Sequence, residues 1–226
     1  MHLRAAIFDL DGTLVDSLAD IATAMNHSLS HHGLPTHPLP DYRHYVGEGV
    51  MQLVRKAVPA GQDGLHESVL AVYRAYYAEH LFDQTYVFPG VAGVLSALAA
   101  EGVRLAVLSN KSDGFTKRLV EGLLPGVPFV AVYGERPGVP RKPDPTAALG
   151  LAAELGVEPA DCGFVGDTPV DMNTARNAGM YGVGVTWGFR SAEELKSTGA
   201  RALATTAAEL LTALREAQPA LRAGGR

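Results

Sequence analysis

An α/β fold is expected from this sequence, with a doubly wound parallel-sheet (Rossmann-like) core and a small inserted all-helical domain. Three observations carry that expectation. From residue 91 onward, short apolar runs alternate with longer helical stretches, the pattern of parallel βαβ units. An earlier apolar run, Leu3 with Ala5-Ala6-Ile7-Phe8, stops abruptly at Asp9-Leu10-Asp11-Gly12. Between these regions, residues 16–87 carry helical periodicity only. The core is therefore expected at 1–15 and 88–226, and the helical insert at 16–87.

The first run reads as a strand buried on both faces. Residues i and i+2 of an extended chain point to one side, so Asp9 and Asp11 can aim their carboxylates at one spot past the strand's carboxyl end, where open α/β sheets bind ligands. Two anions so close repel, and a divalent cation is their natural counter-charge. Leu18, Ile21, Ala22, Met25 and Leu29 then recur at helical spacing, with Asp16 or Ser17 placed to cap the helix and Gly33-Leu34-Pro35 to end it. Residues 39–58 predict two short helices around Gly47-Glu48-Gly49. Val69, Val72, Tyr73, Tyr76 and His80 mark one face of a further helix. Val87-Phe88-Pro89-Gly90 is the turn back to the core.

There, helices are expected at 91–100, 113–124, 145–155, 169–178 and 207–217, and strands at 104–108, 129–132, 163–165 and 182–186. Residues 134–145 form a loop rich in Pro and Gly. Right-handed crossovers bring the strand ends to one rim. The tail, 219–226, is expected to be disordered.

Composition narrows the function. A net charge of −5 over 226 residues argues against a nucleic-acid partner. No apolar run approaches the roughly 18 residues of a membrane span. The single cysteine, Cys162, lies in an apolar run and reads as a buried, inert thiol of a reducing compartment. Met1-His2-Leu3-Arg4 leads straight into the first strand without the features of a signal peptide. The expectation is a cytoplasmic monomer or homodimer.

Asp9-Leu10-Asp11-Gly12-Thr13 resembles the nucleophile motif of the haloacid dehalogenase superfamily of phosphatases. Three more motifs follow in that family's order at later strand ends: Ser109 after Val107-Leu108, Lys142 in Arg141-Lys142-Pro143-Asp144-Pro145, and Gly166-Asp167-Thr168-Pro169-Val170-Asp171. Each has an ordinary structural reading too. Asp9 to Gly12 can be a surface turn, Ser109 a helix cap, Lys142 a solvated charge, and Asp167 or Asp171 an N-cap. Their coincidence carries the resemblance.

The resemblance implies that Asp9 attacks phosphorus to form an aspartyl-phosphate. Asp11 protonates the leaving alkoxide and later takes a proton from water. Thr13, Ser109, Asn110 and Lys142 hold the phosphate. Mg2+ suits the all-oxygen set of the Asp9 carboxylate, the Asp11 backbone carbonyl and the Asp167 carboxylate, with Asp171 behind them orienting the metal or Lys142. The inserted helices correspond to the family's hinged cap.

Within the superfamily, Asp11 argues against the dehalogenase branch, and Thr13 favours phosphatases over β-phosphoglucomutase-like enzymes. Tyr45-Val46-Gly47-Glu48-Gly49, the segment 73–80 and Val185-Thr186-Trp187-Gly188 are most similar to phosphoglycolate phosphatases. The implied partner is a small phosphorylated metabolite, 2-phosphoglycolate, with a sugar phosphomutase, a pyrophosphatase or a non-catalytic phosphate-binding protein as alternatives. Its carboxylate calls for a cation. Arg43, Arg55, Lys56 and Arg190 are candidates, each also readable as a solvated charge. Gly47 and Gly49 can let the cap close over a small substrate. Arg136 departs from the acidic loop of similar phosphatases. His27 and His31, spaced i and i+4, could bind a metal or simply face solvent.

Overall fold

The computed structural model describes residues 3–217, so the tail expectation lies outside the described residues. Strands β1 (Ala5–Phe8) and β2 (Val15–Asp16) precede four helices: α1 (Leu18–His31), α2 (Leu39–Tyr45), α3 (Val50–Ala57) and α4 (His66–Glu79). After β3 (Tyr86–Val87) come α5 (Val91–Ala100), β4 (Arg104–Ser112), α6 (Asp113–Leu123), β5 (Phe129–Glu135) and α7 (Thr146–Glu154). The chain continues through β6 (Cys162–Gly166), α8 (Pro169–Ala178), β7 (Tyr181–Val185), α9 (Ala192–Ser197), β8 (Ala202–Ala204) and α10 (Ala207–Glu216).

Six strands form one parallel sheet in the order β5-β4-β1-β6-β7-β8. From β1 the chain moves outward through β4 to β5, then crosses back to β6 on the other side. That reversal makes the carboxyl end of β1 the topological switch point, where such sheets open a crevice for ligands. The alternation within β1 explains why it is apolar throughout. Ala6 and Phe8 join the core beneath α5 and α10, while Ala5 and Ile7 join the one beneath α7 and α8. Cys162 lies in the second core, where burial pushes its thiol up to about 12.

The helical segment leaves and rejoins the sheet through the antiparallel pair β2–β3. Asp20, buried in α1, closes that junction. Its carboxylate accepts from the amides of Gln84 (3.0 Å) and Thr85 (2.8 Å) and from the Thr85 hydroxyl (2.6 Å).

The elements differ from the sequence expectation in several places, among them the short strands β2 and β3 and the run of β5 to Glu135, into the expected loop. β4 runs on to Ser112 through a register shift against β5, so residues 109–111 lie on an irregular strand extension rather than a loop. β8 and α9 are also present. β8 has only three residues and no alternation to reveal it. α9 has six, though its Ser191–Glu194 capping box is legible in the sequence. Among the described residues, no helix is long and apolar enough to cross a membrane.

Candidate active site

The β1 strand delivers Asp9 to the switch point, and the turn after it is drawn in by Leu10, whose carbonyl accepts from the amides of Leu14 (2.9 Å) and Val15 (3.1 Å). Gly12 stands at φ +84° in this turn, and a Cβ there would collide with the Asp167 carboxylate. Glycine is required on both counts.

Four strand ends then converge. Lys142 Nζ lies 2.9 Å from Asp9 Oδ1 and 2.7 Å from Asp171 Oδ1, with its side chain 2% exposed. Asp171 uses its other oxygen as the reciprocal cap of α8, accepting from the Thr168 amide (3.0 Å) and hydroxyl (2.6 Å). The N-cap is thus Thr168, and Asp171 sits at the third helical position. Asp167 is fully buried, with Oδ1 accepting from the Thr13 hydroxyl (3.0 Å) and Oδ2 from the Phe189 amide (2.8 Å).

Asp9, Asp167 and Asp171 each offer an oxygen within 4.8 Å of the others, the one group of three metal-ligating side chains found among the described residues. Three buried carboxylates face one ammonium. Burial pushes the Asp9 carboxyl up to about 7, Lys142 pulls it down, and Asp171 pushes it up again. Burial, then Asp171 and Asp9, also hold Asp167 well above the usual carboxylate range. Burial alone would depress Lys142, but Asp171 and Asp9 outweigh it and raise its ammonium above the ordinary lysine value. Lys142 offsets only part of the negative charge gathered by Asp9, Asp167 and Asp171. A buried cluster of carboxylate oxygens with that surplus fits a hard divalent cation.

Asp11 turns its side chain away from that cluster. Ser17 donates to Oδ1 at 2.5 Å, and Lys111 Nζ contacts Oδ1 and Oδ2 at 3.0 and 3.1 Å. The Ser109 hydroxyl accepts from the Lys111 amide (3.2 Å), which leaves its own proton free to donate to a ligand oxygen.

Several residues expected at the phosphate or the substrate make contacts within the protein instead. Thr13, expected at the phosphate, gives its hydroxyl proton to Asp167. Asn110, also expected there, donates through its amide nitrogen to the carbonyls of Lys142 and Gly47, each at 3.1 Å, and accepts from the Lys142 amide at 3.0 Å. Its side chain seats Lys142 and ties the helical segment to the core. Arg43 donates to the Gly188 carbonyl (3.1 Å), and Arg190 to the carbonyls of Arg43 and Val46. Both arginines bridge α2 and its C-terminal end to the loop after β7, and neither is among the residues lining the cleft.

Gly47 and Gly49 do line the cleft, a space of about 600 Å³ open to solvent, together with Asp9, Asp11, Ser109 and Asn110. Lys111, Arg74 and Tyr77 line it as well, unanticipated from sequence. Arg136 lies over the Tyr133 ring at 3.7 Å. The His27 ring stacks on Tyr76, which in turn stacks on His80, a packing role for the histidine expected as a metal candidate.

Buried acids that can share a divalent cation, beside an ammonium and a hydroxyl with a free proton, suit an anionic phosphate ester. The class defined by this fold and rim is a phosphatase. The model of the haloacid dehalogenase-like hydrolases matches residues 6–185, and the chain belongs to that family. Among its relatives is a phosphoglycolate phosphatase of Pseudomonas putida, 38% identical over 82% of this chain and 70% of that protein. Another, from Rhodospirillum rubrum, is 38% identical over 88% and 86%. A solved structure of a Lactobacillus delbrueckii protein, assigned as a phosphoglycolate phosphatase, superposes with a TM-score of 0.90 at 34% identity. That superposition covers 96% of this chain and all of the other.

Proposed function

We propose that this chain is a Mg2+-dependent phosphomonoesterase that hydrolyses 2-phosphoglycolate through an aspartyl-phosphate on Asp9. The observation that carries the reading is the buried Asp9 carboxylate at the end of β1, with the Lys142 ammonium 2.9 Å away and Asp167 beside it. The names of the relatives support the substrate.

Lys142 and the Ser109 hydroxyl hold the phosphoryl oxygens while an Asp9 oxygen attacks phosphorus in line with the leaving group. As the phosphorus–ester oxygen bond breaks, Asp11 passes its proton to the departing alkoxide. Asp11 then accepts a proton from water attacking the aspartyl-phosphate, which frees inorganic phosphate and restores Asp9. Asp9, Asp167 and the Asp11 carbonyl would hold Mg2+, with Asp171 steadying Lys142. Bound Mg2+ supplies positive charge to the phosphoryl oxygens and relieves repulsion among the carboxylates. Residues 16–87 act as a cap that screens this exchange from bulk water.

A phosphate-release panel with Mg2+, covering 2-phosphoglycolate, sugar phosphates, nucleotides and pyrophosphate, tests the reading. Release fastest from 2-phosphoglycolate is expected. Hydrolysis of pyrophosphate but not 2-phosphoglycolate would overturn the substrate, and isomerised sugar phosphate in place of free phosphate would overturn the reaction.

A further inference from the structure

We propose that Lys111, assisted by the Tyr77 hydroxyl, receives the carboxylate of the substrate and selects small phosphomonoesters that carry a second anionic group. The proposal rests on the phosphatase reading above and adds the residues that read the non-phosphate end.

Lys111 follows Ser109 by two positions on the irregular end of β4. Both line the same cleft. The Lys111 side chain is only 7% exposed, although an ammonium is rarely held from water without a charged partner. Asp11 supplies part of that partnership, and the Tyr77 ring lies 4.7 Å below the nitrogen. Asp11 engages at most two of the three ammonium protons, so one remains for an incoming acceptor. The Tyr77 hydroxyl is a second donor. It is buried, belongs to a cleft-lining residue, and has no hydrogen-bond partner among the described residues. An unpartnered buried hydroxyl is costly unless a ligand completes it.

Covalent geometry ties these donors to the carboxylate. Asp11 must reach the ester oxygen to protonate it. In 2-phosphoglycolate the carboxylate is one methylene beyond that oxygen. A cation touching Asp11 therefore stands next to the carboxylate. The other cationic candidates are placed differently. Lys142 is committed to Asp9 and Asp171, and Arg43 and Arg190 to backbone carbonyls. Arg74 lines the cleft but is exposed.

The test compares 2-phosphoglycolate with its neutral counterpart, 2-hydroxyethyl phosphate, in the Mg2+-loaded wild type and in Lys111→Met, Tyr77→Phe and Arg74→Ala. A hydrogen bond to a charged group, lost with a neutral analogue, is worth about 10- to 100-fold. Lys111→Met is expected to lower kcat/KM for 2-phosphoglycolate by about that factor, chiefly through KM, and for the neutral ester by less than about 10-fold. Tyr77→Phe should lower only the former, by about 3- to 10-fold. Hydrolysis of the neutral ester by each variant is the control for folding. Equal losses on both esters would make Lys111 a positioning residue for Asp11 and overturn the proposal, as would loss of the preference in Arg74→Ala with its retention in Lys111→Met. Calorimetric titration in the Asp9→Asn background separates this proposal from the phosphatase reading. Lys111→Met should weaken 2-phosphoglycolate binding selectively even if the wild type releases no phosphate, a result that would overturn only the catalytic reading. Unaltered binding would overturn the role of Lys111.

Discussion

Lys142 is the cation on which the charge balance of the rim turns. Removing one partner of a buried ion pair leaves the other charge uncompensated, at about 3–5 kcal/mol. Lys142→Met in the metal-free protein should lose stability of that order at pH 8, read by urea unfolding. The loss should shrink at pH 5, because Asp9, with its carboxyl near 7, is then already neutral. A loss that does not change with pH would mean that Lys142 contributes through Asp171 or packing rather than through Asp9. Asp9 was legible in the sequence because an apolar strand ends on it, but the i, i+2 spacing misplaced the Asp11 carboxylate. β1 stops at Phe8, and Asp11, in the turn before Gly12, pairs with Ser17 and Lys111 instead of joining Asp9. Lys111 was not legible, since a lysine at a strand end reads as solvated until the residue beneath it is known to be Tyr77. The roles of Asn110, Arg43 and Arg190 were equally hidden. Their acceptors are backbone carbonyls distant in sequence, and a carbonyl leaves no mark on composition or spacing.

Element by element, the site depends on how strands end. α8 begins at Thr168 with Pro169 in its first position, and closes on Gly179 in the left-handed conformation. Asp171 thereby serves the helix cap and Lys142 at once. Thr168→Ala removes one half of that capping box and should cost about 1 kcal/mol, measured by thermal or urea unfolding. Gly12→Ala is the harsher change, since a side chain must enter the left-handed region and meet the Asp167 carboxylate. Its cost should exceed about 1 kcal/mol, with activity falling as Asp167 is displaced. A fully active Gly12→Ala enzyme would contradict the placement of Asp167 in the site. Apolar runs made β1, β4, β5, β6 and β7 legible, because parallel strands are buried on both faces, whereas the two-residue antiparallel strands β2 and β3 left no such run. β8 is too short to show a period, and the extension of β4 depends on pairing with β5 that no local pattern encodes.

Across the whole molecule, the sheet order places the switch point where acids accumulate, and the surrounding fold must tolerate their repulsion. Asp9 and Asp167 titrate above the unfolded value for aspartate, so the folded metal-free protein holds protons that the unfolded chain has already released. The Asp9 contribution to stability is present at low pH and is lost as pH rises from about 4 through about 7, and Asp167 acts in the same direction. A divalent cation binding the ionised carboxylates restores it. Mg2+ should therefore raise the Tm more at pH 8 than at pH 5, and Asp167→Asn should abolish the difference in a calorimetric scan. Above the rim, carbonyls of Arg43, Val46, Gly47 and Glu48 accept from Arg190, Asn110 and Arg141 of the core. Arg190→Ala is expected to raise KM by about 10-fold if this latch holds the cleft's roof in place, comparable to losing one charge-assisted hydrogen bond.

The most direct measurement is of the covalent intermediate. The Mg2+-loaded enzyme is acid-quenched during turnover of 2-phosphoglycolate, reduced with borohydride and mapped by mass spectrometry. Reduction of the acyl phosphate should mark Asp9, and Asp9→Asn should yield neither the mark nor free phosphate. A mark on another residue, or a phosphoenzyme trapped in Asp9→Asn, would contradict the assignment of Asp9 as the nucleophile.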